Sequence, residues 1–150
     1  MSPEENKAVV KKFYQLIEEN NYDALKELCH PDFRFYSQID HPLSADEFIR
    51  QEKNHMDACP GFTMRIHDMF AEGDKVACYL VYEGVHTRPF LGLPPTNKKV
   101  RFSLMFMITL KDGKFLEKRA HYDGADILRA CLETHLSIMK RFNSMLAMAI

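Results

Sequence analysis

The residues best suited to chemistry gather near the end of a run with a two-residue period. Over residues 114–122, alternation sets Phe115, Glu117, Arg119 and His121 on one face, with Asp123 following in step, and Leu116, Lys118, Ala120 and Tyr122 on the other. His121 and Asp123 are then same-face neighbours. A carboxylate beside an imidazole in a partly desolvated cup is what a general acid/base working near neutral pH requires. Arg119 on the same face can hold an enolate or carboxylate through charge-assisted hydrogen bonds. The same residues have plainer uses. Glu117, Arg119 and His121 can pair as ions on a solvated face, and Asp123 can cap a helix that begins at Gly124.

Other candidates lie earlier in the chain. His86-Thr87 stands where a strand meets a proline-rich loop, residues 89–95, and either meets the polar end of a ligand or bonds to loop backbone. Tyr14 and Tyr36 can turn their hydroxyls toward a pocket, or pack in the core with the hydroxyl at its edge. Phe106, Met105 and Met107, with Met64, Ile66 and Phe102, supply apolar walls, half of which must face the opposite side of the sheet. His30, His41, His55, His67 and His135 show no HxH or HxxxH spacing in register with a carboxylate, so no metal site is expected. Neither a glycine-rich phosphate loop nor a GxSxG elbow is present, and the pattern demands no cofactor.

Positioning these side chains falls to a simple succession of elements. Val9, Val10, Phe13, Leu16 and Ile17 recur at helical spacing after Ser2-Pro3-Glu4-Glu5, which predicts a helix from there to Glu19 with Ser2 as its cap. A short helix follows over residues 22–29, stopped by His30-Pro31, and residues 33–37 read as a brief strand. Ser44 and Glu47 form a capping box that opens a third helix ending near Cys59-Pro60-Gly61. The period then becomes two. Residues 62–70, 75–86, 99–110 and 114–122 predict four antiparallel strands, the outer pairs joined by tight turns at Glu72-Gly73-Asp74 and Asp112-Gly113. After Gly124 the stripe Leu128, Leu132, Leu136, Met139, Phe142 and Leu146 predicts a closing helix of roughly twenty residues. Helices followed by a long meander give an α+β fold, a curved antiparallel sheet with helices on one face and a ligand-sized cup between them.

The bulk numbers agree with one such domain over residues 1–150: 46% of the chain is hydrophobic, enough for a core and a cavity beside it. The net charge is −1 with both signs interleaved, so no basic stripe offers a nucleic acid its binding surface. The charged N-terminus and the lack of a long apolar run point away from export and the membrane, toward a cytoplasmic protein. Cys29, Cys59, Cys78 and Cys131 are scattered without a CxxC pair and read as reduced thiols. Phe102, Leu104, Phe106 and Ile108 against Met105 and Met107 make both faces of one strand apolar, and a homodimer packed sheet to sheet would cover the outer one.

Three stretches resemble a known family in wording and spacing: Ala71-Glu72-Gly73-Asp74-Lys75-Val76-Ala77, Gly84-Val85-His86-Thr87 and Phe90-Leu91-Gly92-Leu93-Pro94-Pro95-Thr96. Asp112-Gly113-Lys114, Glu117, Asp123 and Ile127-Leu128 extend the likeness over roughly residues 5–133. The pattern is similar to that of the SnoaL-like polyketide cyclases, a branch of the nuclear transport factor 2-like class. That resemblance implies an α+β cone and an intramolecular aldol cyclisation of a polyketide ester, without metal or cofactor. It also implies that a strand-end aspartate, matching Asp123, is the acid/base. The chain departs from the family where Arg119 replaces the usual tryptophan, Phe106 a common polar residue and Gly61 a frequent aspartate, which implies a different polar lining. Residues 134–150 extend beyond the family's common length. They carry Met139, Met145 and Met148, suited to capping the cup's mouth or crossing to a second subunit.

Three functions remain open on the sequence. One is a cofactor-free cyclase or isomerase in which Asp123 moves a proton on an apolar, carbonyl-bearing substrate, helped by His121 and Arg119. Another is a non-catalytic module that carries or senses an apolar small molecule. The third is an epoxide hydrolase, which needs a carboxylate–arginine–carboxylate relay around one water.

Overall fold

The computed structural model describes residues 1–37, 41–90, 92–125, 127, 129 and 130. Helix α1 (Pro3–Glu18) is followed by α2 (Tyr22–Glu27), strand β1 (Cys29–Tyr36) and α3 (Ala45–Met56). Strands β2 (Thr63–Glu72), β3 (Lys75–Val85), β4 (Lys99–Lys111) and β5 (Lys114–His121) complete the succession. The expected capping box of Ser44 with Glu47 forms, and the expected Ser2 cap proves to be a second one, with Glu5, so that both satisfy amide groups that a helix start otherwise leaves unbonded. The chain enters helical geometry again at Gly124, and residues 131–150, with Cys131 and most of the expected closing helix, lie outside the described residues.

The five strands form one curved sheet, not closed into a barrel, in the order β1-β5-β4-β3-β2. Strands β2 to β5 are antiparallel neighbours, as the tight turns require, and Asp112-Gly113 takes positive φ at both residues (51° and 72°), a hairpin turn matched to strand twist. The sheet as a whole is mixed, because β1 docks parallel to β5 along its free edge. The helix expected to run to residue 29 ends earlier, and Cys29, His30 and Pro31 belong to β1. Proline is tolerated there because β1 is an edge strand and its pairing with β5 shifts register between Cys29 and Arg34.

The helices cover the inner face of the sheet. Helix α1 buries Val10, Phe13, Tyr14, Leu16 and Ile17, and Asn6, buried at its start, donates to the Gly73 carbonyl at 2.9 Å, pinning the helix to the β2–β3 turn. Phe13 stacks on Phe115 with ring centroids 4.1 Å apart, and Phe48 of α3 meets Phe13, Phe33 and Phe35. One core thus joins α1, α3, β1 and β5.

Gly84 of β3 sits where the chain leaving α3 crosses the sheet. A Cβ there would lie 2.7 Å from the Cβ of Cys59 and 3.3 Å from that of Phe62. Both are fixed by backbone, so Gly84→Ala is expected to cost about 1–3 kcal/mol through forced displacement of the 59–62 turn, read as a lower denaturation midpoint. An unchanged midpoint would show that the turn moves aside freely.

Candidate functional site

The inner face holds a cavity of about 350 Å³ between α3 and the strands. Phe48, Gln51, Glu52, His55 and Met56 face it from α3, at the spacing of one helical stripe. Val100, Phe102, Leu104 and Phe106 line it from β4, and Lys118, Ala120 and Tyr122 from β5 and the residues after it. His86 and Phe90 close one side, and Gly124 and Ile127 border it where the chain becomes helical again.

Lys118 is the side chain that ordinary patterning least expects in such a place. It is 1% exposed, and its Nζ lies 4.4 Å from the ring centre of Phe106 and 4.6 Å from that of Phe48. Phe13 and Tyr14 stand at 5.1 Å and Phe35 at 5.6 Å. Five aromatic faces attract the cation, but none replaces the water it has lost. Burial therefore pulls its pKa below the ordinary lysine value, opposed by the negative charge of Glu52. Among the described residues no carboxylate comes within ion-pair distance of Nζ.

His86 is equally buried. Its backbone amide donates to the Lys98 carbonyl, and Nδ1 lies 3.1 Å from the Thr96 hydroxyl, so the loop holds the ring rigidly. Nε2 has no hydrogen-bond partner among the described residues. Whichever tautomer the threonine selects, Nε2 offers a donor or an acceptor to a bound molecule. Burial lowers the pKa of His55, opposed by Glu52, and its ring stands edge-on to Phe90. Burial raises that of Tyr122, and Glu52 adds to the effect.

The expected trio lies elsewhere. Arg119 and His121 point from the outer face of the sheet, opposite the cavity. Arg119 Nε donates to Glu117 Oε1 at 2.7 Å, and its guanidinium stacks on Tyr36 at 4.1 Å. His121 is exposed and borders a shallow outer concavity with Tyr79, Ser103, Met105 and Asp123. Asp123 Oδ1 accepts from the Ala125 amide at 2.8 Å, and its carbonyl accepts from Ile127, the geometry of a helix start.

The reason is a β-bulge. Thr109 pairs with Glu117 but the next residue, Leu110, pairs with Phe115, leaving Leu116 as an extra residue in β5. Phe115 (0% exposed) therefore points inward together with Lys118 and Ala120, and the row that shares a face with Phe115 in an unbroken strand is turned outward.

Of the remaining candidates, Phe106 lines the cavity as expected. Met105 and Met107 do not: they are 60% and 51% exposed on the outer face, as the period of β4 demands once Phe106 and Ile108 are buried. Tyr14 lies behind the lining, its ring 5.4 Å from that of Phe106 and its hydroxyl near the Cys78 thiol without a hydrogen-bond partner among the described residues. Tyr36 is on the outer side beneath Arg119, and its neighbour Phe35 faces the cavity instead. Glu52, His55, Lys118, Ala120 and Tyr122 escaped selection as site residues, yet two signals were present. A single lysine stands in the otherwise uncharged row of Leu116, Ala120 and Tyr122, and Glu52 and His55 interrupt the buried stripe that Phe48 and Met56 define.

No metal-binding group of three or more His, Cys, Asp or Glu side chains occurs among the described residues, and no helix there is long and apolar enough to cross a membrane.

Among solved structures the chain is similar to AclR, a candidate hydroxylase from Streptomyces galilaeus, at 22% identity over 89% of this chain and 96% of that one, with a TM-score of 0.78. It is also similar to a candidate SnoaL-like polyketide cyclase from Jannaschia sp. CCS1, at 23% identity over 87% and 95% of the two chains and a TM-score of 0.78. An epoxide hydrolase of M. tuberculosis, described as LEH-like, shares 14% identity over 93% of this chain and 98% of that one, with a TM-score of 0.69. At such identities the likeness concerns the fold. No curated protein matches the sequence. The sequence model of the SnoaL-like polyketide cyclases matches residues 7–131, spanning every strand of the sheet and the cavity it encloses, and the chain belongs to that family.

Proposed function

We propose that the chain binds a largely apolar, carbonyl-bearing small molecule in the cup and catalyses proton transfer beside that carbonyl, a cyclase- or isomerase-type reaction that needs no cofactor. The observation that carries this is the Lys118 amino group, buried in an apolar cavity and facing it without a carboxylate partner among the described residues. A positive group in a water-poor site stabilises the negative charge that develops on a carbonyl oxygen when a neighbouring C–H loses its proton. Glu52, the one carboxylate among the described lining residues, is the base we assign, and His86 Nε2 bonds a second polar group of the ligand. Asp123 then has the role of a helix cap, and Asp123→Asn is expected to retain turnover that Glu52→Gln loses.

The test is native mass spectrometry of the protein purified from its own host, beside Ala120→Leu, whose longer side chain projects into the cavity. The wild type is expected to carry a carbonyl-bearing ligand that Ala120→Leu, with an unchanged melting temperature, has lost. A fatty or otherwise unreactive ligand would overturn catalysis and leave the carrier function, which the dominance of Phe, Met, Leu and Val in the lining favours. An epoxide-hydrolase relay is the less favoured chemistry, since no arginine is among the described lining residues and Arg119 is bonded to Glu117 on the other face.

The proposal includes a homodimer formed through the outer face, where Phe70, Met105 and Met107 are exposed together with Val85. Met105→Lys is expected to yield a monomer by size-exclusion chromatography at unchanged fold, and a dimer that persists would place the contact elsewhere. Three buried free thiols, Cys29, Cys59 and Cys78, suit the reducing cytoplasm that we assign as its compartment.

A further inference from the structure

We propose that Lys118 is a nucleophile, and that its amino group condenses with the carbonyl of the bound molecule to form a protonated imine inside the cup. The proposal rests on the function given above and deepens it by naming the bond that forms.

Geometry carries it. A lysine held, among the described residues, by rings alone, with Nζ 4.4–5.1 Å from four of them, is fixed in place without a described carboxylate that would keep it a hydrated ion pair. It faces the cavity, and the next inward residue of β5, Ala120, has no side chain beyond Cβ, which leaves room beside the amine for a tetrahedral carbon. Burial favours the neutral amine, against the charge of Glu52 and the weaker influences of Cys78 and Cys29.

The nitrogen lone pair attacks the carbonyl carbon, a C–N bond forms, and the C=O π pair moves to oxygen, which takes up the proton that nitrogen gives up. The carbinolamine hydroxyl then accepts a proton and leaves as water while the nitrogen lone pair closes the C=N bond. Tyr122, a phenol on the cavity wall that burial keeps protonated, is placed to supply that proton. Neutral amine, ketone and the proton given up by Tyr122 yield iminium and water, and the proton released when the iminium is later hydrolysed returns to Tyr122, so no oxidant or reductant is needed. The iminium is a stronger electron sink than the parent carbonyl. Loss of the adjacent C–H proton to Glu52 gives an enamine, whose carbon can attack a second carbonyl of the same molecule, and hydrolysis returns the lysine.

The experiment treats the full chain with a limiting amount of 2-naphthaldehyde at neutral pH, reduces with sodium cyanoborohydride, and maps the adduct by peptide mass spectrometry. Displacement of the neutral dye N-phenyl-1-naphthylamine by 2-naphthalenemethanol reports occupancy of the cup independently. The expected result is a mass gain equal to the aldehyde less one oxygen atom, confined to Lys118 and absent from Lys118→Met. Labelling there should be at least about tenfold faster than at any surface lysine, since each unit by which a lysine pKa falls raises the neutral-amine fraction near neutrality about tenfold. Displacement of the dye with no adduct at Lys118, or with adducts spread evenly over the lysines, overturns the covalent step and leaves the cup as a binding site. No dye displacement and no Lys118 adduct overturns both.

Discussion

Lys118→Met is expected to raise the melting temperature at neutral pH by several degrees while abolishing imine formation. Methionine keeps the length and apolar stem of lysine but removes a cation that desolvation destabilises. Replacing buried charge by an apolar side chain of similar volume gains about 1–4 kcal/mol in favourable cases. The pH dependence fixes the attribution. The folded-state pKa of Lys118 lies below that of the unfolded chain, so between those two values the unfolded chain binds more protons and stability rises with pH. The cost of burial is thus fully present below the folded pKa, relieved progressively above it, and gone above the ordinary lysine value. Melting curves of the two proteins should converge as the pH approaches that value from neutrality. A variant less stable than wild type at every pH would mean that the five rings hold the ammonium at a net gain and that Lys118 is a structural pin. A stability gain with loss of chemistry is the pattern of a residue kept for function against the interest of the fold.

The largest loss of stability is expected at Phe13. It is fully buried, stacks on Phe115 and Phe48, meets Tyr14 edge-on at 5.6 Å and forms one wall of the lysine cage. Phe13→Ala removes a ring from the contact between α1, α3 and β5, and such truncations cost about 3–5 kcal/mol where the surroundings cannot collapse. Collapse is hindered here because the neighbouring rings are held by three different elements. Denaturant unfolding should show a lower midpoint at an unchanged slope. A loss below about 1 kcal/mol would show that α1 settles into the gap.

How far the sequence spoke depended on whether a feature was local. Caps, helix starts and tight turns are decided by a few adjacent residues, and Ser2, Ser44 and Asp112-Gly113 behave as their neighbours dictate. The period of β4 also reads correctly, since Phe106 and Ile108 go inward and Met105 and Met107 outward. What the sequence hides is pairing between distant segments. That β1 runs parallel to β5 follows from tertiary docking, and so does the acceptance of Pro31 inside a strand. Arg119 and His121 share a face as alternation predicts, but that face lies opposite Phe115, because at Leu116 the partner strand does not keep step. Lys118 went unselected because a lone lysine in a strand is usually solvated, and only the walls supplied by α1 and α3 make it otherwise.

The bulge at Leu116 also has a consequence for how such a protein can change over time. Which of two alternating sets of side chains the cup receives is governed by the register of pairing with β4, independently of their identities. Were Leu116 to pair with Thr109 in place of Glu117, the strand beyond would slip by one and exchange the lining of that wall at a stroke: Lys118, Ala120 and Tyr122 would turn to solvent, and Glu117, Arg119 and His121 would enter in their place, whereas deleting Leu116 would leave every pair beyond it, and the lining, unchanged. A lineage built on this sheet thus holds two latent wall chemistries in one strand, one step of register apart, and can pass between them without inventing a new residue.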